Sequence, residues 1–162
     1  MDINPEEAKS AIIKLSKMMR YLLPEAGSKE STLAREVEFI ENYVRLMKLR
    51  LSERVKITLD LPENLPDKTL PPFLFIPLIE NAFKHGVSYK DESFINIGMV
   101  IGNDRLIFSV KNSKTNDSKS GALGGSGIDL FKKRLGLIYG KEHHLDIIEN
   151  NEIFTVNLSI PL

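Results

Sequence analysis

The stretch LIENAFKHG, residues 78–86, contains four side chains that could act together: Glu80, Asn81, Lys84 and His85. Their offsets along the chain are zero, one, four and five, so on a helix they would share one flank. The other side of that helix would carry the apolar residues Leu78, Ile79, Ala82 and Phe83. The stretch therefore predicts an amphipathic helix with a clustered polar flank, beginning near Pro77 because proline suits a first helical turn.

Two interpretations of this flank are open. Carboxylate and amide oxygens suit magnesium, and a lysine ammonium suits phosphate, so the flank could hold a magnesium-bound triphosphate. Alternatively, it is a solvated face on which Glu80 and Lys84 form a pair worth about 0.2–0.5 kcal/mol. These residues alone do not decide between the two interpretations.

A second segment, NSKTNDSKSGALGGSG at residues 112–127, is polar and rich in glycine, and it has no hydrophobic periodicity. It predicts a mobile loop from Ser113 to Ser126, which is either a lid or a long connector. A helix from about Ile128 to Tyr139 follows, and its first backbone N–H groups could receive phosphate oxygens. A glycine-rich loop is a weak signal of a phosphate site by itself.

Composition limits the classes of protein that are possible. The chain has 162 residues, of which 42% are hydrophobic, and this predicts one main domain around a single core. The 22 basic and 22 acidic residues cancel, so nothing favours nucleic acid as a partner. The chain contains no cysteine, no apolar run long enough to span a bilayer and no signal-peptide pattern, and we expect a soluble protein from a reducing compartment.

The positioning elements begin with two helices. Asn4-Pro5 predicts the start of a helix that continues to about Leu23 and carries a narrow apolar seam between residues 6 and 23. Such a seam needs a partner, and we expect self-association through it. A second amphipathic helix is predicted at about residues 32–50, with Ser31 or Thr32 as its N-cap.

Strand patterns follow. Alternation from Val55 to Asp60 predicts a half-buried strand, and residues 94–101 and 105–111 predict a hairpin around Gly102-Asn103-Asp104. Two further strands are predicted near residues 144–149 and 153–160. The order of these elements predicts an α+β, two-layer sandwich with helices on one face of a mixed sheet, preceded by one or two helices.

The chain resembles the LytS-type sensor histidine kinases, which share an ATP-binding fold, the Bergerat or GHKL fold, with gyrase and MutL. The resemblance rests on LSKMMRYLL at 15–23, LAREVEFIENYVRLMKLR at 33–50, PPFLFIPLIENAFKHG at 71–86, SGIDLFKKRLGLIYG at 126–140 and FTVNLSIPL at 154–162. The third of these is similar to the family's N box and the fourth to its second glycine box. The resemblance implies a mostly antiparallel sheet, ATP and Mg²⁺ as ligands, and transfer of the γ-phosphate.

The resemblance also implies roles for the polar flank. Asn81 would coordinate magnesium through its side-chain oxygen, and Glu80 would lie beside it in the metal and water shell, so both are candidate catalytic residues. Lys84 would approach the phosphates, and His85 would contact the nucleotide.

The glycine boxes carry further implied roles and two departures from the family pattern. Gly125 and Gly127 would let the lid approach the phosphates, while Arg134 is as compatible with a salt bridge as with a ligand contact.

The family's first glycine box reads Asp-x-Gly, but here Asn112 replaces the aspartate that accepts a hydrogen bond from the adenine amino group, and Lys114 replaces the glycine. Asn112 can still accept that bond through its amide oxygen, although without the charge. In the second box, Asp129 replaces a glycine and would place a carboxylate near the phosphates unless it caps the helix.

The family's phosphorylated histidine lies in a pattern resembling NPHFLFN, which this sequence lacks. The other histidines, His143 and His144, lie at the start of a predicted strand and would point to opposite faces. We therefore expect a fragment: residues 1–30 as the remnant of the dimerisation and phosphoacceptor region, and residues 31–162 as the catalytic domain. On its own this fragment would not phosphorylate itself.

The implied function is delivery of the ATP γ-phosphate to a histidine outside this sequence, for relay to a response regulator. The intact protein would dimerise through the phosphoacceptor helix, and this chain would be the cytoplasmic domain of an inner-membrane sensor, reaching the membrane only through upstream segments. One alternative is a degenerate nucleotide-binding domain that acts as a protein interaction module. Another is an ATP-hydrolysing relative of the gyrase type.

Overall fold

The computed structural model describes residues 30–115 and 126–162. Its elements, in chain order, are β1 (Ser31–Thr32), α1 (Leu33–Lys48), β2 (Val55–Asp60), β3 (Thr69–Leu70), α2 (Ile76–His85), β4 (Ser93–Ile101), β5 (Arg105–Ser113), α3 (Ser126–Tyr139), β6 (His144–Glu149) and β7 (Ile153–Pro161). Two compact units form, one from residues up to Ser52 with Leu65–Leu74, the other from Glu53–Asn64 with Phe75–Leu162. The division into domains at residues 30 and 31 stays a prediction.

The larger unit is built on a five-stranded sheet with the order β2-β4-β5-β7-β6. Strand β2 runs parallel to β4, and each of the other neighbouring pairs is antiparallel. The hairpin between β4 and β5 closes with a hydrogen bond from Gly102 N to Arg105 O, 2.8 Å long. The prediction of a mixed, mostly antiparallel sheet is confirmed.

Alternation along the strands separates a buried face from an exposed face. The buried side chains are Ile95, Ile97 and Met99 of β4, Leu106, Phe108 and Val110 of β5, and Phe154, Val156, Leu158 and Ile160 of β7. Helix α2 packs against β4 and β5 and contacts α3. At the start of α2 the ring of Phe75 lies 4.5 Å from that of Phe108, centroid to centroid. The predicted α+β sandwich, with helices on one face of the sheet, is therefore confirmed.

The smaller unit contains α1, which begins after the N-cap Thr32. The hydroxyl of Thr32 accepts a hydrogen bond from Arg35 N at 3.3 Å, as the sequence predicted. The buried residues of α1 include the predicted apolar row Leu33, Val37, Ile40 and Val44. The predicted helix is thus confirmed, with its end at Lys48 instead of residue 50.

A buried carboxylate in α1 fixes the residues that precede α2. Glu36 is only 1% exposed, and its two oxygens accept hydrogen bonds from Phe73 N at 3.0 Å and Leu74 N at 3.3 Å. Phe73 has a positive φ of 57°, which is unusual for a residue with a side chain. Its ring meets that of Phe39 edge-on, with centroids 5.4 Å apart. This arrangement could not be predicted from the sequence, because it depends on a contact between residues 37 positions apart.

The structure corrects several predicted boundaries. Strand β5 continues to Ser113, so Asn112 lies inside a strand instead of following it. Helix α3 begins at Ser126, two residues before the predicted Ile128. The short strands β1 and β3 were not predicted, since two residues carry no periodicity. The predicted helix with the seam at 6–23 and the central part of the predicted lid, 116–125, lie outside the described residues.

Candidate functional site

Helix α2 carries the four polar residues of the opening stretch on one flank. Pro77 lies in its first turn, where the backbone N–H that proline lacks has no partner within a helix. The buried side consists of Ile76, Leu78, Ile79, Ala82 and Phe83. Glu80 and Lys84 are exposed, while Asn81 and His85 are half-buried and border the packed side. The predicted division into a polar flank and an apolar side is confirmed.

His85 ends α2 in a partly enclosed environment. Burial, and secondarily the positive charge of Lys84, lowers the pKa of the His85 imidazole below its ordinary value of 6.5. The neutral form is therefore favoured at physiological pH. The hydroxyl of Thr115, just after β5, donates a hydrogen bond of 3.4 Å to the backbone carbonyl of His85.

Asn112 is the buried polar residue of β5. It is 1% exposed, and its Nδ2 donates a hydrogen bond of 2.8 Å to the backbone carbonyl of Ser113. Its Oδ1 is also buried, but no partner for this oxygen exists in the described part of the chain. An unpaired buried acceptor costs free energy, so the arrangement is typical of an atom kept for a ligand or an ordered water.

Gly86, directly after α2, lies against Asn112. A Cβ at Gly86 would stand 2.6 Å from the carbonyl oxygen of Ala82, 2.7 Å from the Cβ of Asn112 and 2.8 Å from its Nδ2. Only glycine permits this close approach. It therefore lets the end of α2 come close to the end of β5 at Asn112.

Ser113 joins the same two elements to β4. Its Oγ donates a hydrogen bond of 2.9 Å to the carbonyl of Gly86 and accepts one of 3.0 Å from Phe94 N. Sequence reasoning treated Ser113 only as the start of a loop and did not single out Gly86. The glycine after LIENAFKH was the one available signal, since glycine is common where a helix ends.

Lys114, which replaces a family glycine, is directed to the turn between β6 and β7. Its ammonium pairs with the carboxylate of Glu149 and donates a hydrogen bond of 3.0 Å to the carbonyl of Asn150. Its backbone N–H donates to Glu152 O at 2.7 Å. The substitution therefore adds no unpaired charge beside Asn112.

The second glycine box is only partly described. Gly127 lies exposed in the first turn of α3, where an added Cβ would meet no atom within 4 Å, so packing within the protein does not require a glycine there. Asp129 is exposed in the same first turn, where a carboxylate is favoured by the helix dipole. Arg134 is half-buried on α3. Gly125 lies outside the described residues. The structure thus brings the end of α2, at Gly86, against Asn112, whereas the grouping of the whole polar flank with Asn112 in one site stays a prediction.

Comparisons with known proteins agree with this architecture. A family profile described as "Histidine kinase" matches residues 1–55. Over 158 residues the chain is 27% identical to the sensor histidine kinase BtsS of Escherichia coli K12, an alignment that covers 96% of this chain and 28% of the relative. Over 173 residues it is 28% identical to the sensor protein LytS of Staphylococcus haemolyticus, covering 98% of this chain and 30% of the relative. The chain is similar to these sensor histidine kinases over nearly its whole length. It spans less than a third of the length of these relatives.

Solved structures of histidine kinases share the fold. The histidine kinase domain of a blue-light activated kinase from Erythrobacter litoralis EL346 matches with a TM-score of 0.59 and 15% identity, covering 94% of this chain and 75% of that domain. The catalytic domain of the histidine kinase ThkA matches with a TM-score of 0.53 and 16% identity, covering 82% of this chain and 94% of that domain. The predicted resemblance and fold are confirmed, and the alternative of a degenerate interaction module is not favoured.

Among residues 30–115 and 126–162, no helix combines the length and apolar character needed to cross a membrane.

Proposed function

We propose that this histidine kinase domain binds ATP with Mg²⁺ between the flank of α2 and Asn112, and delivers the γ-phosphate to a histidine outside this sequence. Transfer to an aspartate of a response regulator would follow. In the intact protein, the acceptor histidine would be supplied by a dimerising helix of the kinase itself. We also propose that this domain is cytoplasmic and that upstream segments attach the intact protein to the membrane.

The unpaired Oδ1 of Asn112 is the observation that carries the proposal. An adenine base presents an exocyclic amino group, which is a hydrogen-bond donor, and Oδ1 is a buried acceptor without a partner in the described structure. Donation by the base would remove the cost of burying this oxygen unpaired. The residues present therefore fit an adenine nucleotide, including at the position where an asparagine replaces the aspartate of the family.

The donor set on α2 fits the metal and the phosphates. Asn81 would offer its side-chain oxygen to magnesium and Glu80 would hold a water of the metal shell, while Lys84 would pair with a phosphate. Within the described residues no cluster of three or more acidic or histidine side chains could hold a metal alone. Few protein ligands are needed when phosphate oxygens supply most of the coordination.

Catalysis in such a site depends on position and charge. Magnesium, when bound, would neutralise charge on the phosphates. Asn81 and Lys84 would orient the triphosphate, and Gly125 and Gly127 would let backbone N–H groups come close to it. The neutral imidazole of His85 would contact the nucleotide without adding charge.

Phosphotransfer tests this function. The chain would be joined to the phosphoacceptor helix of a LytS-type kinase and given ATP labelled at the γ-phosphate. We expect label on the histidine of the added helix, and a loss of at least about tenfold in rate for Asn81→Ala, since one transition-state contact is worth more than about 1.4 kcal/mol. Binding of ATP without any transfer in the parent would contradict the kinase function and would favour a module that only binds nucleotide.

A further inference from the structure

The amide of Asn112 has two chemically opposite ends, whereas the aspartate of the family pattern has two equivalent oxygens. One end, Oδ1, accepts hydrogen bonds, and the other end, Nδ2, donates them. If the amide turned over, Nδ2 would face the site and could donate to the O6 acceptor of guanine. An asparagine at this position would therefore bind adenine or guanine depending on which end of its amide faces the site, whereas the two oxygens of an aspartate are both acceptors.

The backbone carbonyl of Ser113 holds the amide in one orientation. Nδ2 of Asn112 donates to this oxygen at 2.8 Å, and the residue is only 1% exposed to solvent. Turning the amide over would place two oxygens at that distance and remove the hydrogen bond in a buried place, where water cannot replace it.

Ser113 is itself held by three neighbouring elements. Its Oγ donates a hydrogen bond of 2.9 Å to the carbonyl of Gly86, after α2, and accepts one of 3.0 Å from the backbone N–H of Phe94 in β4. Its backbone pairs with Ile153 of β7 in the antiparallel register. The lack of a side chain at Gly86 leaves room for the Cβ and Nδ2 of Asn112 in their observed places.

We propose that Ser113 is a positioning residue that fixes the amide of Asn112 so that only an acceptor faces the nucleotide. The site then selects a base with a donor at that position, which is adenine and not guanine. This inference rests on the proposed function, because it concerns the base of the same nucleotide.

The first test measures the affinity of the protein for nonhydrolysable ATP and GTP analogues with magnesium. We expect the parent to prefer ATP by at least about tenfold, because guanine would bring an acceptor against a buried acceptor. Ser113→Ala should weaken ATP binding about fivefold, the value of one hydrogen bond, and should reduce the preference for ATP over GTP. Ser113→Thr keeps the hydroxyl and should therefore keep the parent's preference for ATP over GTP.

Ser109→Ala provides a matched control, since Ser109 lies on the same strand and is half-buried. We expect it to keep the parent's affinity and preference. A merely structural role of Ser113 would lower the affinities for both nucleotides equally and leave their ratio unchanged, which would overturn the inference. Equal binding of ATP and GTP by the parent would overturn it too, while the proposed function would stand. Absence of any nucleotide binding would overturn both.

A second measurement uses the parent protein alone, without nucleotide and without any variant. In NMR spectra of the free protein, one side-chain amide proton of Asn112 should exchange slowly with solvent and show the shift of a bonded proton, because it is donated to Ser113. Rapid exchange of both amide protons of Asn112 would overturn the inference, whatever the variants do.

Discussion

The chemistry of the site depends on individual atoms whose partners come from distant parts of the chain. The resemblance to the family implied that Asn112 accepts a hydrogen bond from adenine, and helical spacing grouped the four polar residues of α2. It was not possible to see that Oδ1 is unpaired while Nδ2 is bonded, because this follows from the positions of Ser113 and Gly86. Periodicity describes which face a residue occupies, and it carries no information on the hydrogen bonds of a single amide.

His85 gives a prediction at the residue scale. Because its pKa is lowered in the folded protein, the unfolded chain binds more protons than the folded chain as the pH falls through 6.5 toward the lowered value. The free energy of unfolding should therefore decrease over this range by more in the parent than in His85→Gln. Urea unfolding of both proteins between about pH 7.5 and pH 5 measures the difference, since the window lies around the ordinary histidine pKa.

If the free energies of unfolding of the parent and His85→Gln differed by the same amount at every pH in that range, folding would not lower the pKa of His85.

At the scale of the elements, the proposed site depends on the close approach of the ends of α2 and β5. The helix and the strand were predictable from their patterns, although β5 continues two residues beyond the predicted end at residue 111. Their close approach was not predictable, since it requires Gly86 to lie against the side chain of Asn112. The anchoring of Phe73 and Leu74 by Glu36 was missed for the same reason: a lone glutamate on a helix does not reveal a partner 37 residues away.

Gly86→Ala tests this close approach. The added methyl group would overlap the carbonyl of Ala82 and the side chain of Asn112, so we expect a loss of about 1–3 kcal/mol in the free energy of unfolding and weaker nucleotide binding. Gly136→Ala is the matched control, because its added methyl group would meet no atom within 4 Å on helix α3. The control should be neutral or more stable by up to about 1 kcal/mol. Unchanged stability of Gly86→Ala would contradict the packing described for the site.

At the scale of the whole molecule, the sequence predicted the order of the main helices and strands and the class of fold. It could do so because strands β4 and β7 alternate between buried residues and residues that are at least partly exposed, and because both α1 and α2 show a clear apolar side. The order of strands in the sheet, β2-β4-β5-β7-β6, was not predictable from periodicity, which carries no information on which strands become neighbours.

We propose that the flank of α2 and Asn112 form one magnesium-dependent nucleotide site. Calorimetric titration of the parent, Asn81→Ala and Asn112→Ala with a nonhydrolysable ATP analogue, with and without magnesium, tests this proposal. Asn157→Ala on the opposite face of the sheet serves as the control. We predict magnesium-dependent binding in the parent and the control, and a loss of at least about tenfold in both site variants, since each loses a hydrogen bond or metal ligand in a partly buried site. No heat in any condition, together with an unchanged melting temperature, would show that α2 and Asn112 do not form a nucleotide site.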